Sequence, residues 1–490
     1  MAEWLADSLE EILHSDSDTT VTGVTLSSQR VQPGDLYAAL PGSRAHGATF
    51  ATQAVESGAT AVLTDRAGAD LCAELAQPVL VVEQPRSLLG SLAARIYGNP
   101  AHALSLVAVT GTQGKTTVTR LAEAALHDAG IPSAVVGTVG TRINGVDVRS
   151  SLTTPEAPDL HALFAVMREQ QVRGCAMEVS SHALVMGRVD GVVFDVAAFT
   201  NLGRDHLDFH ADLEDYFQAK ASLFTPGRAH KGLVNLDDPY GRRLVREASI
   251  PVQTFSLHDP EADWRAVDVR MGPDGSSFTV VTPEGQRVAA HVPLAGEFNV
   301  SNALCAIGVL GEAGFVTQTV ADGMRLSRGV PGRLERVDVG QDFVALVDYA
   351  HKPDAVSAIL RALRPQTAGR LILVLGAGGD RDTGKRPLMG EAAARLADVF
   401  IVTDDNPRTE DPSGIRAEVC AGTRAVPERE RAEVLEVGDR REAIRRAVSI
   451  ARPGDVVVVA GKGHETGQEI QGTVHPFDDR VVLREELAAR

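Results

Sequence analysis

The residues best suited to chemistry lie in a glycine-rich loop that follows the apolar segment LVAVT and precedes a predicted amphipathic helix. Backbone N–H groups in such a loop, together with the helix N-terminus, bind phosphate. The lysine of the loop reaches the outer phosphates of a nucleotide, and the hydroxyl after it holds Mg²⁺. Val109 stands where the full phosphate-loop pattern has its first glycine. The predicted loop consists of Gly111, Thr112, Gln113, Gly114, Lys115, Thr116 and Thr117.

Composition limits the classes of function that need be considered. The chain has 48 Lys and Arg against 65 Asp and Glu, a net charge of −17, which argues against a non-specific nucleic-acid binder. No apolar run is long enough for membrane insertion. The four cysteines are far apart and indicate neither a zinc site nor a disulfide framework. Reduced thiols and the absence of a signal peptide lead us to expect a cytoplasmic protein.

The order of apolar and polar segments predicts parallel sheets. Apolar runs such as CAMEV, DVAAF and RLILVL each end in polar or glycine-rich residues and precede a helix. This order is typical of βαβ units, whose ligands bind beyond the carboxyl ends of the strands. We therefore predict an α/β chain of three domains, with a central P-loop-type, mostly parallel sheet and a C-terminal Rossmann-like domain. The predicted boundaries are 1–103, 104–330 and 331–490.

Further segments follow the phosphate loop in a characteristic order. They are the segments AMEVSSH at 176–182, TNLGRDHLD at 200–208, YFQAK at 216–220 and GEFNVSN at 296–302. Together with the loop sequence T-G-T-x-G-K-T, they resemble the Mur ligase family, which is related to the folylpolyglutamate synthetases. The resemblance extends over essentially the whole chain.

This resemblance implies an ATP-dependent acid–amino-acid ligase of peptidoglycan precursor synthesis. In the family, ATP phosphorylates a carboxylate, an amine attacks the acyl phosphate, and phosphate leaves. The implied catalytic residues are Lys115, Glu178, His206 and Lys220, and the implied Mg²⁺ ligands are Thr116, Glu178, His206 and carbamylated Lys220. Beyond the loop, the implied ATP contacts are Asn299, Asn302, Arg333 and Asp348.

The residue types alone leave simpler interpretations open. Without the resemblance, His206 is expected to be a hydrogen-bonding loop residue, because hard cations prefer oxygen ligands. Lys220 is then a solvated helix lysine, and Arg333 is a partner in an interdomain ion pair.

Other segments resemble those that bind the sugar nucleotide UDP-MurNAc-L-Ala-D-Glu in the family. Two positions depart from the family pattern: Ser27-Ser28-Gln29 stands for D-S-R, and Met186 stands for a polar Gln. A plain surface loop is the alternative for the N-terminal segments. The implied binding residues are Leu26, Ser28, Ser43, Arg44, Ala45, Thr153, Thr154, Ser180, Met186 and Arg188.

The D-N-P-R segment resembles that of family members that add meso-diaminopimelate. This amine is lysine with a further distal carboxylate, which Arg408 can bind bidentately. Lysine as substrate would leave the guanidinium unpaired, which would weaken its binding by about 1–3 kcal/mol. An arginine that caps a helix is the alternative for Arg408. The implied amino-acid pocket consists of Arg381, Asp405, Asn406, Pro407, Arg408, Gly461 and Glu465.

The expected reaction therefore joins meso-diaminopimelate to the D-Glu side-chain carboxylate of UDP-MurNAc-L-Ala-D-Glu, with ATP as co-substrate and Mg²⁺ as cofactor. We expect a monomer. One alternative is the same ligase with L-lysine, and another is a folylpolyglutamate-type synthetase, which should lack D-N-P-R. A third is an inactive ATP-binding partner module, which should lack Lys115, Glu178 or Lys220, and all three are present.

Overall fold

The computed structural model describes residues 9–14, 19–42, 44–148, 152–207, 209–272, 275–327 and 329–490. Two compact units are distinguished by their internal contacts. The first holds the chain up to Lys115 together with Leu126–Phe255 and Gly308–Val316. The second holds Thr116–Ala125, Ser256–Ile307 and Thr317–Arg490. Within the described ranges, no helix is both long and apolar enough to cross a membrane.

The first unit begins with a five-stranded sheet of order β1-β5-β4-β3-β2, in which only β1 is antiparallel to its neighbour. Along β3 and β5, alternate side chains enter two separate apolar clusters, so both faces of the sheet are buried. The elements are β1 (Leu9–Leu13), β2 (Gly23–Thr25), β3 (Asp35–Ala38), α1 (Ala51–Glu56), β4 (Ala61–Thr64), α2 (Arg66–Leu71), β5 (Val79–Val82) and α3 (Pro85–Ile96).

A larger sheet follows in the same unit, with the strand order β13-β12-β11-β6-β10-β7-β8-β9. Its strands β13 to β7 in this order run parallel, and β8 and β9 add an antiparallel edge. The strands and helices are β6 (Ser105–Thr110), α4 (Lys115–Asp128), of which Thr116–Ala125 belongs to the second unit, β7 (Ser133–Gly137), β8 (Gly140–Ile143), β9 (Val146–Val148), α5 (Ala157–Glu169), β10 (Gly174–Glu178), α6 (Ser181–Val185), β11 (Phe194–Phe199), α7 (Leu213–Ala221), β12 (Ala229–Asn235), α8 (Pro239–Glu247) and β13 (Val252–Ser256).

The second unit contains an antiparallel meander and a six-stranded sheet. The six-stranded sheet has the order β17-β18-β22-β19-β20-β21 and is parallel except for β17. The first elements are β14 (Trp264–Gly272), β15 (Gly275–Val281), β16 (Arg287–Val292), α9 (Glu297–Glu312), which ends in the first unit, and α10 (Thr317–Leu326). The others are β17 (Glu335–Arg336), β18 (Val344–Asp348), α11 (Pro353–Leu363), β19 (Leu371–Leu375), α12 (Lys385–Leu396), β20 (Val399–Val402), α13 (Pro412–Thr423), β21 (Glu433–Glu436), α14 (Arg440–Ile450), β22 (Val456–Ala460), β23 (Gly467–Ile470), β24 (Thr473–Pro476) and α15 (Asp479–Ala488).

Strand β19 shows why the six-stranded sheet is covered on both faces. Leu371, Leu373 and Leu375 belong to one apolar cluster, whereas Ile372 and Val374 belong to another. Successive side chains of a strand point to opposite faces, so an uninterrupted apolar run produces two buried faces. The predicted α/β class, with a mostly parallel central sheet and a C-terminal sheet of the Rossmann type, is confirmed.

A buried ion pair connects two helices of the second unit to the ends of two of its strands. Arg440 at the start of α14 and Asp479 at the start of α15 have fully buried side chains, and Arg440 Nη2 lies 2.7 Å from Asp479 Oδ2. The guanidinium also donates to the carbonyl oxygens of Asp404 (3.2 Å) and Ala460 (2.8 Å). These carbonyls follow β20 and end β22, so the guanidinium holds two strand ends at a fixed spacing.

We expect Arg440→Met to reduce the free energy of unfolding by about 3–5 kcal/mol, because the change leaves the Asp479 carboxylate buried without its partner. Urea unfolding of the full chain, followed by circular dichroism, measures the loss. The control is Arg441→Met, which removes the pairs of a half-exposed arginine with Glu485 and Glu486. It should cost less than about 1 kcal/mol, because Glu485 is exposed and the buried Glu486 keeps its pair with Arg445. Equal losses in the two variants would contradict a structural role for the buried pair.

Candidate active site

Parallel pairing brings several motifs of the first unit to one edge of its sheet. In register, Glu178 at the end of β10 lies beside Val109, and Phe199 at the end of β11 lies beside Thr110. The phosphate loop leaves β6 between these two strand ends. The motifs that follow β6, β10 and β11 therefore begin side by side, as expected for ligand sites of parallel sheets.

The phosphate loop is held by the segment that follows β11. Thr112 N–H donates to the Asn201 carbonyl (2.9 Å), and Gln113 N–H donates to Asn201 Oδ1 (2.9 Å). Thr200 Oγ1 donates to the Gln113 carbonyl at 2.6 Å. Gly111 has a φ of 144°, and a Cβ there would meet Thr200 and the backbone of Asn201. The T-N segment thus sets the shape of the loop.

Two lysine ammonium groups meet at the carbonyl oxygen of Gly111. Lys115 Nζ donates to it at 2.8 Å and also to the Thr112 carbonyl at 3.0 Å. Lys220 Nζ, on the buried face of α7, donates to the same oxygen at 2.9 Å and lies 4.5 Å from the centroid of the Tyr216 ring. The structure brings these two predicted residues together, and Lys220 is buried rather than solvated.

The carboxylate of Glu178 is oriented by one threonine that the sequence reasoning missed. Thr138 donates its backbone N–H to Oε1 (2.8 Å) and its hydroxyl to Oε2 (3.0 Å). The Thr138 and Thr153 hydroxyl oxygens are 3.1 Å apart, and Thr154 Oγ1 donates to the Glu178 carbonyl at 2.8 Å. Thr153 and Thr154, which are predicted to bind the sugar nucleotide, therefore lie beside the predicted catalytic carboxylate. A threonine after a short strand carries no sequence signal for this role.

His206 belongs to a group of aromatic rings near α7. Its ring centroid is 4.8 Å from that of His182 and 6.0 Å from that of Tyr216. Tyr216 Oη lies 3.2 Å from Thr112 Oγ1, and burial raises the pKa of this phenol. Tyr216 therefore contacts the phosphate loop, Lys220 and His206 alike. Residue 208 of this motif lies outside the described residues.

Sequence reasoning also missed a buried hydrogen-bonded chain beside these residues. His210 Nε2 lies 2.9 Å from Ser181 Oγ, and His210 Nδ1 lies 3.0 Å from Asp215 Oδ2. Ser181 is 1% exposed, so its hydroxyl is inaccessible as a nucleophile. This series of hydrogen bonds instead joins the S-S-H motif after β10 to the first turn of α7. The sequence DHLDFH was the available signal for His210.

The predicted sugar-nucleotide residues occupy several positions in the first unit. Ser28 Oγ donates to Gln53 at 3.1 Å, and Leu26 packs against an apolar cluster. Arg44 and Ala45 are exposed, and Ser43 lies outside the described residues. Ser180 caps α6 through its hydroxyl, which accepts the N–H of Ala183.

The guanidinium of Arg188 is held between acceptors. Its Nε lies 2.8 Å from Glu156 Oε1, and its Nη2 lies 3.4 Å from the sulfur of Met186. Arg86, on α3, pairs with the other oxygen of Glu156 at 3.2 Å and donates to the Met186 carbonyl at 3.4 Å. Arg86 and Glu156 are additional residues of this group, and nothing in their immediate sequence identified them.

The four predicted nucleotide contacts outside the phosphate loop lie in the second unit. Asn299 and Asn302 are one turn apart on α9, and Asn302 Nδ2 donates to Asn299 Oδ1 at 3.3 Å. Arg333 Nη2 donates to Thr116 Oγ1 at 3.3 Å, and its guanidinium carbon lies 4.4 Å from the centroid of the Tyr349 ring.

Asp348 fixes the loop that carries Arg333. Its carboxylate accepts the N–H groups of Leu334 (2.8 Å) and Ala350 (2.7 Å). Burial raises the pKa of Asp348, and the charge of Arg333 and these hydrogen bonds oppose the rise. The observed role of Asp348 is therefore to fix the backbone before β17 and after β18.

The predicted amino-acid residues of the second unit come together after β20 and β22. Arg408 has a φ of 53°, and its Nη1 donates to the Gly379 carbonyl at 2.5 Å. Its side chain is 23% exposed and is therefore not extended into solvent. A Cβ on Gly461 would lie 2.5 Å from Asp405 Oδ2, which explains why glycine is needed there. Arg381 is exposed and makes no hydrogen bond or ion pair with any described residue.

Lys462 is a central residue of this pocket that the sequence reasoning missed. Its ammonium is fully buried and contacts Asn406 Oδ1 (2.9 Å) and Glu465 Oε2 (3.2 Å). Asn406 Nδ2 donates to the same oxygen of Glu465 at 3.0 Å. The predicted pocket includes Gly461 and Glu465 of the segment G-K-G-H-E at 461–465. The lysine of the same segment was the available signal for Lys462.

Comparisons with known proteins identify the family of the chain. Three family models match the chain: "Mur ligase family, catalytic domain" over residues 20–97, "Mur ligase middle domain" over 109–310, and "Mur ligase, glutamate ligase domain" over 332–463. A protein of Streptomyces avermitilis named "UDP-N-acetylmuramoyl-L-alanyl-D-glutamate--2,6-diaminopimelate ligase" is 58% identical, with 96% of this chain and 93% of the relative covered. A protein of the same name from Corynebacterium glutamicum is 49% identical, with 97% and 94% covered.

Solved structures show the same fold. The "Structure of UDP-N-acetylmuramoyl-L-alanyl-D-glutamate--2, 6-diaminopimelate ligase" superposes with a TM-score of 0.67 at 34% identity, and covers 96% of this chain and 95% of its own. Because three family models match successive parts of the chain and the relatives match it over nearly their full length, this chain belongs to the Mur ligase family.

Proposed function

We propose that the chain is an ATP-dependent amide-bond ligase that joins meso-diaminopimelate to the D-Glu side-chain carboxylate of UDP-MurNAc-L-Ala-D-Glu. The relatives at 58% and 49% identity are named for 2,6-diaminopimelate and for this acceptor. The choice of meso-diaminopimelate over L-lysine rests on the hydrogen bonding of the Arg408 guanidinium. Its Nη2 makes no hydrogen bond with any described residue, while Nη1 and Nε are anchored. This leaves an edge of the guanidinium suited to a carboxylate.

The proposed reaction proceeds in two steps. The γ-phosphoryl group of ATP is transferred to the D-Glu carboxylate, which forms an acyl phosphate and releases ADP. The neutral amine then attacks the acyl carbon, the bond from carbon to phosphate oxygen breaks, inorganic phosphate leaves with its electron pair, and the nitrogen releases one proton to the solvent as the amide forms. Phosphoryl transfer depends mainly on positioning and charge neutralisation. The backbone of 111–117 would bind the phosphates, and the Lys115 ammonium would exchange its loop carbonyls for phosphate oxygens.

Mg²⁺ fits the side chains only if Lys220 is modified. Within the described ranges, no group of three His, Cys, Asp or Glu residues is arranged to hold a metal. Glu178 supplies one buried carboxylate, and His206 supplies a half-exposed imidazole. A carbamate on Lys220 would supply the oxygens that a hard cation prefers. Glu178, His206 and carbamylated Lys220 would then hold one Mg²⁺, the Thr116 hydroxyl would hold the ion that accompanies ATP, and bound Mg²⁺ neutralises phosphate charge.

The remaining assignments are parts of the same proposal. Thr153, Thr154 and Arg188 would bind the muramoyl-dipeptide. The reason is that the two threonines of this set lie beside the predicted catalytic carboxylate of Glu178. Asn299, Asn302, Arg333 and Asp348 would contact or frame the nucleotide. The domains would be 1–103 for the sugar nucleotide, 104–330 for ATP and 331–490 for the amino acid. The protein would act in the cytoplasm as a monomer, and the four free thiols agree with a reducing compartment.

We expect the wild type to release ADP with UDP-MurNAc-L-Ala-D-Glu, ATP, Mg²⁺ and meso-diaminopimelate, and far more slowly with L-lysine. Arg408→Met should lower kcat/KM for diaminopimelate by about 10–100-fold, because a charged hydrogen-bond pair is lost. Arg424→Met, which changes an exposed arginine of the same unit, is the matched control.

Equal turnover of the two amines by the wild type would overturn the assignment of diaminopimelate. Faster turnover of LL-diaminopimelate would correct the stereochemistry alone. No turnover with any amine would favour the partner-module alternative.

The carbamate is tested by chemical rescue. Lys220→Ala should lose about 10–100-fold or more in kcat, and added formate should restore part of the loss because it supplies a carboxylate in the vacated space. Lys220→Arg should stay inactive with formate, since its side chain fills that space. Lys231→Ala, at an exposed lysine of β12, is the control. If formate leaves Lys220→Ala unchanged, the ammonium bond to Gly111 is the important contact instead.

A further inference from the structure

Arg86 is a cation at a position where its own helix disfavours one. It lies in the first turn of α3, and this turn contains no acidic residue. The positive end of the helix dipole is at this terminus, so an arginine here lowers the stability of the helix. The proposed reaction gives Arg86 no role. A residue that breaks a local rule in this way is expected to serve another purpose.

Arg86 belongs to a group of three charges, in which Glu156 lies between two arginines. Arg86 Nη1 is 3.2 Å from Glu156 Oε2, and Arg188 Nε is 2.8 Å from Glu156 Oε1. Glu156 directly precedes α5, but its side chain does not cap that helix. Neither arginine has another charged partner among the residues that the structure describes. One carboxylate therefore faces two guanidinium groups, and one positive charge of the group is not balanced.

The guanidinium of Arg188 is enclosed, but its hydrogen bonds are weak. Its side chain is 15% exposed. Its Nη1 donates to the Thr154 carbonyl at 3.4 Å, and its Nη2 donates to the Met186 sulfur, which is a weak acceptor. Its Nε–H is buried and is not aimed at Glu156 Oε1, so it makes no hydrogen bond with any described residue. An enclosed cation with such partners is unfavourable until an anion binds it.

Thr154 connects this group to the candidate reaction site. Arg188 contacts the carbonyl of Thr154, and the hydroxyl of Thr154 donates to the Glu178 carbonyl at 2.8 Å. In the proposed reaction, the side-chain carboxylate of D-Glu reacts beside Glu178. The other carboxylate of D-Glu is separated from the reacting one only by the α-carbon and two methylene groups. It is therefore the nearest further anion of the acceptor, because the diphosphate lies beyond the L-alanine and the sugar.

We propose that Arg86 is a further binding residue for the acceptor, and that it holds the non-reacting carboxylate of D-Glu together with Arg188. This inference rests on the proposed function. The carboxylate would accept hydrogen bonds from Arg188 and from the Nη2 and Nε groups of Arg86, which make no hydrogen bond with any described residue. Glu156 would keep its pair with Arg86 Nη1 and separate the two guanidinium groups. Two cations then face two anions, so the occupied group contains no unpaired charge.

The test compares two acceptors in the variant Arg86→Gln. The KM for UDP-MurNAc-L-Ala-D-Glu should rise by about tenfold, because a charged hydrogen bond becomes a neutral one, and the KM for ATP should not change. UDP-MurNAc-L-Ala-D-isoglutamine keeps the reacting carboxylate and has an uncharged amide in place of the other one. Its KM, or its Ki as an inhibitor, should be the same in the wild type and the variant.

Two further variants separate binding from general effects of charge and folding. Arg95→Gln, at an exposed arginine in the last turn of the same helix, is the matched control and should change none of these constants. Arg86→Lys keeps the charge but not the planar arrangement of donors, so its KM should rise less than that of Arg86→Gln. The thermal midpoint of Arg86→Gln should not fall, because the change removes a cation from the first turn of α3.

Three results would overturn the inference. An equal rise of KM for both acceptors would show that Arg86 acts on the diphosphate or, with a lower thermal midpoint, on the fold. No rise for either acceptor would show that Arg86 has no role in binding. A rise of the same size in Arg95→Gln would show that only the net charge of the region matters. Failure of the proposed function would be recognised separately, because the wild type itself would then not release ADP with UDP-MurNAc-L-Ala-D-Glu.

Discussion

The common direction of neighbouring strands is the constraint on which both candidate sites depend. In the first unit, β10, β6 and β11 end at one edge, so the segments that follow them must share a small volume. In the second unit, β20, β19 and β22 also end at one edge. The segments that follow them there are D-N-P-R at 405–408, G-G-D-R-D at 378–382 and G-K-G-H-E at 461–465. Arg440 reinforces this second edge, because its guanidinium bonds to carbonyl oxygens that follow β20 and end β22.

Cations gathered at these edges, of which Lys220 and Lys462 are buried and Lys115 is partly buried, reconcile an acidic chain with anionic substrates. The net charge is −17, yet Lys115 and Lys220 converge on one carbonyl oxygen and Lys462 is enclosed by an amide and a carboxylate. Burial of a charge is costly unless it is hydrogen-bonded, and each of these ammonium groups has such partners. The partners of Lys115 are loop carbonyls, which a phosphate can replace without leaving a charge unpaired.

The sequence was sufficient to predict the apolar parallel strands β6, β10, β11 and β19 and the glycine-rich loop that follows β6. Glu178 and Arg408 were found because their motifs are contiguous. Thr138, His210 and Lys462 were not, because each makes its contact with a segment distant in the chain or in a different loop. Such contacts depend on strand order and loop shape, which local patterns do not encode. The roles given to the site residues remain predictions until the variants are measured.

Met186 shows how a departure from a family pattern can be absorbed by its neighbours. A glutamine at this position can both accept and donate, whereas a thioether is a weak acceptor only. In this chain the sulfur lies 3.4 Å from Arg188 Nη2, so the accepting function is kept. The donating function has no replacement at Met186 itself, but Arg86 adds a cation that pairs with Glu156 beside Arg188. Because Glu156 is shared by two arginines, a substrate anion that approaches Arg188 leaves Glu156 with Arg86 as its partner. The departure therefore replaces an amide by a thioether at one contact, while the ion pairs of Glu156 with Arg86 and Arg188 do not involve the side chain of residue 186.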